Sequence, residues 1–289
     1  MVYLKSFTLP TREAEESIVT PNEYPFGLFA FRDIEPLIFS PITILYGSNG
    51  SGKSTLLNLI GEKLRLARET QFNKSRLFDT YAHDFCDYSL AYDDDGVMMS
   101  IPQGSKVITS DDIFSSILFS RSKNERLNNE KQAAERDYMQ AKYNRVVFRD
   151  MDDLDKLKLQ NEARSKSMRR FTEERTESLI PLHSNGETVI EYYNRTLAEN
   201  RLYLLDEPEN SLAPYFQRKL CAIIDDMARF CGCQFIIATH SPFFLSMESA
   251  RIYDLDSVPV CEKSWYELKN MQEYFSLFFN TREDFLRKM

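Results

Sequence analysis

Nine residues constrain this chain more than any others. Gly47-Ser48-Asn49-Gly50-Ser51-Gly52-Lys53-Ser54-Thr55 fits G-x-x-x-x-G-K-[ST]. Average residue usage gives a chance match on the order of once in a hundred chains of this length. The glycines let the backbone curl so that successive N–H groups point inward at phosphate oxygens. The flanks suit that use. Phe39 to Tyr46 ends in a β-rich run that predicts a buried strand, and Ser54 to Arg68 carries Leu56, Leu57, Leu59, Ile60 and Leu64 at helical spacing. A helix starting there adds unpaired N–H groups and the positive end of its dipole. Lys53 is expected to reach β- and γ-phosphates and the Ser54 hydroxyl to serve as a Mg²⁺ ligand.

A second signal lies far downstream. Leu202-Tyr203-Leu204-Leu205-Asp206-Glu207-Pro208 is an apolar run ending in two carboxylates. A parallel strand carries its ligands at its C-terminal end. Asp206 is therefore expected to hold Mg²⁺ or its water. Glu207, next in line and pointing elsewhere, can act as general base towards a water molecule.

The remaining sequence gives the organisation. Residues 2–9 alternate and predict a first strand, residues 10–36 loops and short strands, and Gln234 to Ala238 and Ile252 to Leu255 further buried strands. Residues 105–180 contain no Gly and no Pro and favour helices, with a break at Arg149–Asp153. They are expected to form an exposed helical hairpin. Residues 121–177 hold 15 Lys and Arg against 12 Asp and Glu, whereas the rest of the chain holds 21 against 32. The net charge of −8 argues against whole-surface nucleic-acid binding, while the mildly basic stretch leaves nucleic acid open as a partner. No apolar run approaches the ~20 residues of a membrane span. Met1-Val2-Tyr3-Leu4-Lys5 lacks the build of a secretory signal, and five cysteines are an odd set. A cytoplasmic location with free thiols is the expectation.

Three more motifs complete a resemblance. Leu182-His183-Ser184-Asn185-Gly186-Glu187 lies upstream of the acidic pair, with Ser184 22 residues before Asp206; Ala238-Thr239-His240-Ser241-Pro242 follows an apolar strand; Ile101-Pro102-Gln103-Gly104 follows a stretch read as a strand. In this order the motifs resemble the ABC ATPase superfamily, and its soluble SMC-like and overcoming-lysogenization-defect-like branch in particular. The resemblance implies an α/β fold: a P-loop core with a mostly parallel sheet flanked by helices, an N-terminal antiparallel β part and a helical insertion. It implies one ATPase domain over 1–289, with a core lobe of 1–110 and 180–289 and an insertion of 111–179.

The same resemblance implies the site. Gly47, Ser48, Asn49, Gly50, Ser51, Gly52, Lys53, Ser54 and Thr55 would bind ATP, and Ser184 and Gly186 would close over the ATP of a second chain. Ser54, Asp206 and Gln103 would serve Mg²⁺. Glu207, His240 and Lys53 would be catalytic. Tyr24, Phe26 and Phe31 are unranked candidates for stacking on adenine. The chain departs from the soluble branch at Ala213, where a His is frequent. The implied partners are a second copy in an ATP-dependent dimer and an unidentified protein, with no membrane. Three outputs follow: an ATPase of DNA metabolism or phage defence, a transporter ATPase, or a nucleotide-gated scaffold with little turnover.

Overall fold

The computed structural model describes residues 1–16, 23–143, 154–177 and 185–286. Two units divide the chain. One comprises Met1–Ile113 with Asn185–Met289, the other Phe114–Ser184. In chain order the strands are β1 (Leu4–Thr8), β2 (Leu37–Ile38), β3 (Ile42–Tyr46), β4 (Asp87–Leu90), β5 (Lys106–Thr109), β6 (Leu202–Asp206), β7 (Gln234–Ala238), β8 (Ala250–Asp254) and β9 (Cys261–Glu262). The helices are α1 (Arg12–Glu16), α2 (Lys53–Lys63), α3 (Phe78–Thr80), α4 (Ser110–Tyr143), α5 (Leu154–Ser165), α6 (Met168–Glu173), α7 (Asn185–Thr196), α8 (Pro214–Phe230), α9 (Pro242–Leu245), α10 (Lys269–Asn280) and α11 (Arg282–Leu286).

The first unit is built on a sheet of order β5-β6-β7-β3-β8-β9. All its neighbours run parallel except β9, which is antiparallel to β8. Every residue of β3 and β7 is buried, as are the first four of β6. These runs of Ile, Leu, Phe and Tyr have no polar face to give to water, so both faces of the sheet must be covered. On one side α2 packs on β6 and β7. It buries Leu56, Leu57, Leu59 and Ile60, each contributing roughly 1.5–3 kcal/mol. Gly61 lets it approach closely, because a Cβ there would lie 2.8 Å from Val107 Cγ2. A separate antiparallel sheet, β2-β1-β4, adds the antiparallel part. Gln234 joins the two sheets: its Oε1 accepts from Tyr3 N and Leu4 N at 2.8 and 2.9 Å, and its Nε2 donates to Leu4 O at 2.9 Å.

The fold class expected from the motifs is the one observed. Two local expectations are corrected. Helix α2 ends at Lys63, not at Arg68. Arg65 takes φ 53°, and the chain turns there so that Ala67 bridges to Lys106 at the start of β5. The tertiary pairing wins over the helical spacing of Leu64. No strand precedes Gln103 directly; Met98 makes an isolated bridge to Tyr92, and Gln103 lies in a turn.

The second unit is helical among its described residues. Tyr138 and Ala141 of α4 meet Ala163 of α5 and Phe171 of α6 in a small core. The Tyr138 and Phe171 rings lie 5.3 Å apart, edge to face. The break expected at Arg149–Asp153 lies outside the described residues.

Candidate functional site

Parallel strands in one sheet place their C-terminal ends along one edge. Thr109 of β5 stands opposite Asp206 of β6, which stands opposite Ala238 of β7. The loop after β3 leaves from the same edge, because Leu45 pairs with Ala238. Residues distant in sequence are thus gathered by register alone.

The loop after β3 turns as its glycines predict. Gly50 and Gly52 adopt φ +81° and +95°, and Gly52 precedes the first turn of α2. Lys53 is buried, and its ammonium donates to Gly47 O at 2.9 Å and Ser48 O at 3.2 Å. It also lies 2.7 Å from His240 Nε2. An ammonium has no lone pair, so Nε2 is the acceptor and the ring proton sits on Nδ1. Burial and then the Lys53 charge lower the His240 pKa, which agrees with a neutral ring. Burial likewise lowers the Lys53 pKa.

The acidic pair divides as its adjacency suggests. Asp206 Oδ1 accepts from Ser54 Oγ at 2.9 Å. Burial pushes its carboxyl up to about 6, against the opposing Ser54 bond. Glu207 sits in the left-handed region at φ 48°, which costs a non-glycine residue about 1–2 kcal/mol. Its N–H donates to Ala238 O at 2.9 Å and its Oε2 accepts from Asn210 Nδ2 at 3.0 Å. Glu207 Oε1 stands 3.9 Å from His240 Nε2, beyond hydrogen-bond reach.

A cavity of about 570 Å³ opens here, lined by Tyr24, Leu28, Asn49, Gly50, Gly52, Lys53, Ser54, Thr55 and Glu207. Tyr24 OH donates to Thr55 Oγ1 at 3.0 Å, so of the three aromatic candidates Tyr24 faces the cavity. Phe26 is buried against Tyr81 and Phe85, and Phe31 lies under Arg12. The residues suit a phosphate and a hard cation. Ser51 Oγ is buried with no partner, and Ser54 and Asp206 place a hydroxyl and a carboxylate side by side. No cluster of three or more His, Cys, Asp or Glu that could cage a metal occurs among the described residues. Mg²⁺ keeps most of its waters and needs only one or two carboxylates with substrate phosphates.

Not every expected site residue arrives. Gln103 precedes β5, at whose start Lys106 pairs with Tyr203, and a Cβ on neighbouring Gly104 would meet Arg201. It therefore lies at the N-terminal edge of the strands, across the sheet from Asp206, and the magnesium role expected for it is withdrawn. Spacing along the chain cannot say which end of a strand a turn occupies. Ser184 lies outside the described residues. Gly186 is buried in α7, where a Cβ would fall 2.3 Å from the Phe216 ring of α8, so close helix packing alone requires glycine there.

Two residues at the site escaped the motif reading. Asp256, after β8, accepts from Ser48 N at 2.6 Å and Ser48 Oγ at 2.9 Å, clasping the start of the phosphate loop. The sequence does not single it out: Ile252-Tyr253-Asp254-Leu255 already holds an acid, so Asp256 does not end a clean apolar run as Asp206 does. Glu209 is the other. Its Oε1 accepts from Thr239 Oγ1 at 2.6 Å, His240 N at 2.8 Å and Ser241 N at 3.2 Å.

Comparison with known proteins gives one partial family match and several likenesses of fold. Residues 182–246 match a family model described as "AAA domain, putative AbiEii toxin, Type IV TA system". No curated protein matches the chain. Among solved structures, it is similar to an Smc head domain with an extended coiled coil, bound to the C-terminal domain of ScpA, from Pyrococcus furiosus. Identity is 14%, the match covers 96% of this chain and 100% of that one, and the TM-score is 0.44. A dimeric ATP-binding cassette in a post-hydrolysis state, bound to ADP and Pi, is 16% identical over 92% and 99%, with TM-score 0.39. A nucleotide-free ATP-binding cassette of an ABC transporter is 13% identical over 94% and 96%, with TM-score 0.42. The phosphate loop after β3, the acidic end of β6 and the mostly parallel sheet between helices make this unit an α/β core built around a phosphate loop.

Proposed function

We propose that the chain binds ATP with Mg²⁺ in the cavity over Gly47–Thr55 and hydrolyses it. The observation that carries this reading is the meeting of Lys53, Ser54, Asp206, Glu207 and His240 at one sheet edge, with Ser54 on Asp206 and Lys53 on His240. Ser54 and Asp206 would hold the cation, which supplies charge neutralisation at the phosphates. The loop N–H groups and the start of α2 bind phosphate oxygens. Lys53 exchanges its bond to His240 for the terminal phosphates. That exchange frees Nε2 of its donor, and the ring tautomer that carries the proton on Nε2 can then donate to a γ-phosphate oxygen. Glu207 accepts the proton of the attacking water as the β–γ bond breaks.

The reading extends to a head-to-tail pair of chains, each covering the other's nucleotide with its Ser184 loop. The motif Leu182–Glu187, by its order and its spacing before Asp206, supports it. The output proposed for the pair is a conformational switch in a partner protein, in DNA metabolism or phage defence. A transporter ATPase and a scaffold with little turnover are the outputs it displaces.

The test is the light-scattering mass of Glu207→Gln with and without Mg·ATP, beside nucleotide titrations. Glu207→Gln is expected to keep nucleotide affinity, lose roughly 10²–10⁴-fold in turnover and double in mass only with Mg·ATP. Lys53→Ala is expected to abolish binding; unchanged affinity in that variant would overturn the site. A mass indifferent to nucleotide would overturn the head-to-tail pair and leave the one-chain site standing. Slow wild-type turnover that no partner or DNA accelerates would select the scaffold.

A further inference from the structure

We propose that Glu209 is a positioning residue: it sets the height of the histidine loop and so decides whether His240 Nε2 reaches Lys53. The inference rests on the reading of this cavity as an ATP site. Thr239-His240-Ser241 lies where β7 ends, and its three consecutive donors converge on one oxygen, Glu209 Oε1, at 2.6, 2.8 and 3.2 Å. A single carboxylate oxygen thus replaces the backbone partners these groups lost when the strand stopped. The neighbouring polar contacts agree. Ser241 Oγ donates to Gln217 Oε1 at 2.7 Å, and Gln217 Nε2 donates to Leu212 O at 2.7 Å. Glu209 in the loop after β6 and Gln217 in the first turn of α8 therefore hold the loop after β7 at two points, with Glu209 bound directly to His240 N.

Glu209 is not one of the residues that line the cavity; it acts through the histidine loop that it binds. Its other oxygen, Oε2, is buried without a partner. Burial, more than its three donors offset, pushes its carboxyl above the usual carboxylate range. A buried acid with one orphan oxygen is a cost in stability. What the site gains is a fixed imidazole: Thr239, His240 and Ser241 cannot shift without breaking bonds to the same atom. Glu209 also lies two residues beyond Glu207, in a loop with left-handed residues at Glu207 and Ser211. A change in that loop's conformation moves the proposed base and the histidine together.

The experiment combines steady-state ATPase kinetics with imidazole NMR on the full chain. The chain has three histidines, His83, His183 and His240, so His240 is assigned by single replacements. Glu209→Ala is expected to lower kcat by about tenfold to 10²-fold, the scale of a misplaced catalytic group. KM should stay within about threefold, and the His240 ring resonances should shift or broaden, on the same footing. Glu209→Gln keeps an acceptor oxygen at the Oε1 position, so kcat and the His240 resonances should stay near wild type. Thr239→Val, which removes one donor at nearly constant shape, gives a smaller change in the same direction and serves if Glu209→Ala fails to fold. Unchanged His240 resonances in Glu209→Ala, or a Gln variant as impaired as the Ala variant, would overturn the proposal. If the wild type hydrolysed no ATP, the hydrolysis reading would fall, while the NMR comparison would still decide whether Glu209 places His240.

Discussion

The two units hold their charged residues in opposite ways. At the sheet edge of the first unit, polar contacts join residues far apart in sequence. Ser54 meets Asp206, Lys53 meets His240, and Ser48 meets Asp256. Glu209 and Gln234 likewise bind partners across the fold. In the second unit most of the ion pairs are local and near water. Arg169–Glu173, Arg170–Glu174 and Lys166–Glu162 are i,i+4 pairs, and Arg175 returns to Glu162. Its apolar core is Tyr138, Ala141, Ala163 and Phe171, with Leu159 against them. It also carries the roomier groove, about 630 Å³ lined by Lys131, Glu135, Arg169 and Glu173 among others, yet no phosphate-cradling backbone lines it. Volume does not make a site; convergent, desolvated polar groups do.

The contrast breaks or sharpens under four substitutions. Phe171→Ala removes the fully buried ring of the small helical core and is expected to destabilise the second unit by about 3–5 kcal/mol. Melting followed by hydrogen exchange should show the loss there, with nucleotide affinity at the first unit unchanged. A fall in affinity of the same size would mean that the two units do not fold as separate cores. Gln234→Ala, next in size, strands two buried backbone donors and is expected to cost roughly 2–3 kcal/mol in urea unfolding. A loss below about 0.5 kcal/mol would show that the antiparallel sheet is not tied to β7 by this side chain.

Asp206→Asn is expected to stabilise the magnesium-free protein by about 3 kcal/mol at pH 7–8. The sign follows from burial, which raises the folded carboxyl to about 6 from its ordinary 3.8. Below 3.8 both states are protonated and nothing is lost. As pH rises through that interval the unfolded state ionises first, so wild type loses stability, and the loss is complete above 6. A gain that persisted at pH 3.5 would locate the effect in packing rather than charge. Added Mg²⁺ should reverse the order of the two proteins, because the carboxylate then has a cation to face.

Glu162→Gln is the smallest. Arg175 and then Lys166 hold the Glu162 carboxyl down to about 2. That group is open to solvent, so only a small loss is expected, present above pH 4, fading as pH falls through 2 and shrinking in 1 M salt. A salt-independent loss would show that the network is not the screened surface array its exposure implies.

Much of the candidate site was legible because phosphate chemistry demands particular residues at short, fixed spacing. A curled loop needs its glycines, an ammonium must follow them, and a strand must end in acids. Gln103 misled because a Gln beside a Gly is also ordinary turn composition, and only strand direction separates the two edges of a sheet. Asp256 and Glu209 were hidden for another reason: each acts on backbone N–H groups of a different loop, and backbone donors leave no mark in a sequence.

The sequence alone determined the parts whose cause is local: buried strands from apolar runs, the phosphate loop from its glycines, and helices α4, α5 and α6 from the absence of Gly and Pro, although the same stretch opens with strand β5 at Lys106–Thr109. Tertiary structure decided which of these parts meet. The order β5-β6-β7-β3-β8-β9 puts the ends of β3, β6 and β7 side by side, so residues some 150 to 190 positions apart lie within 3 Å. Covalent spacing fixes what a residue can do, whereas strand register and burial fix what it does it to; for Lys53, Asp206 and His240 both had to be known.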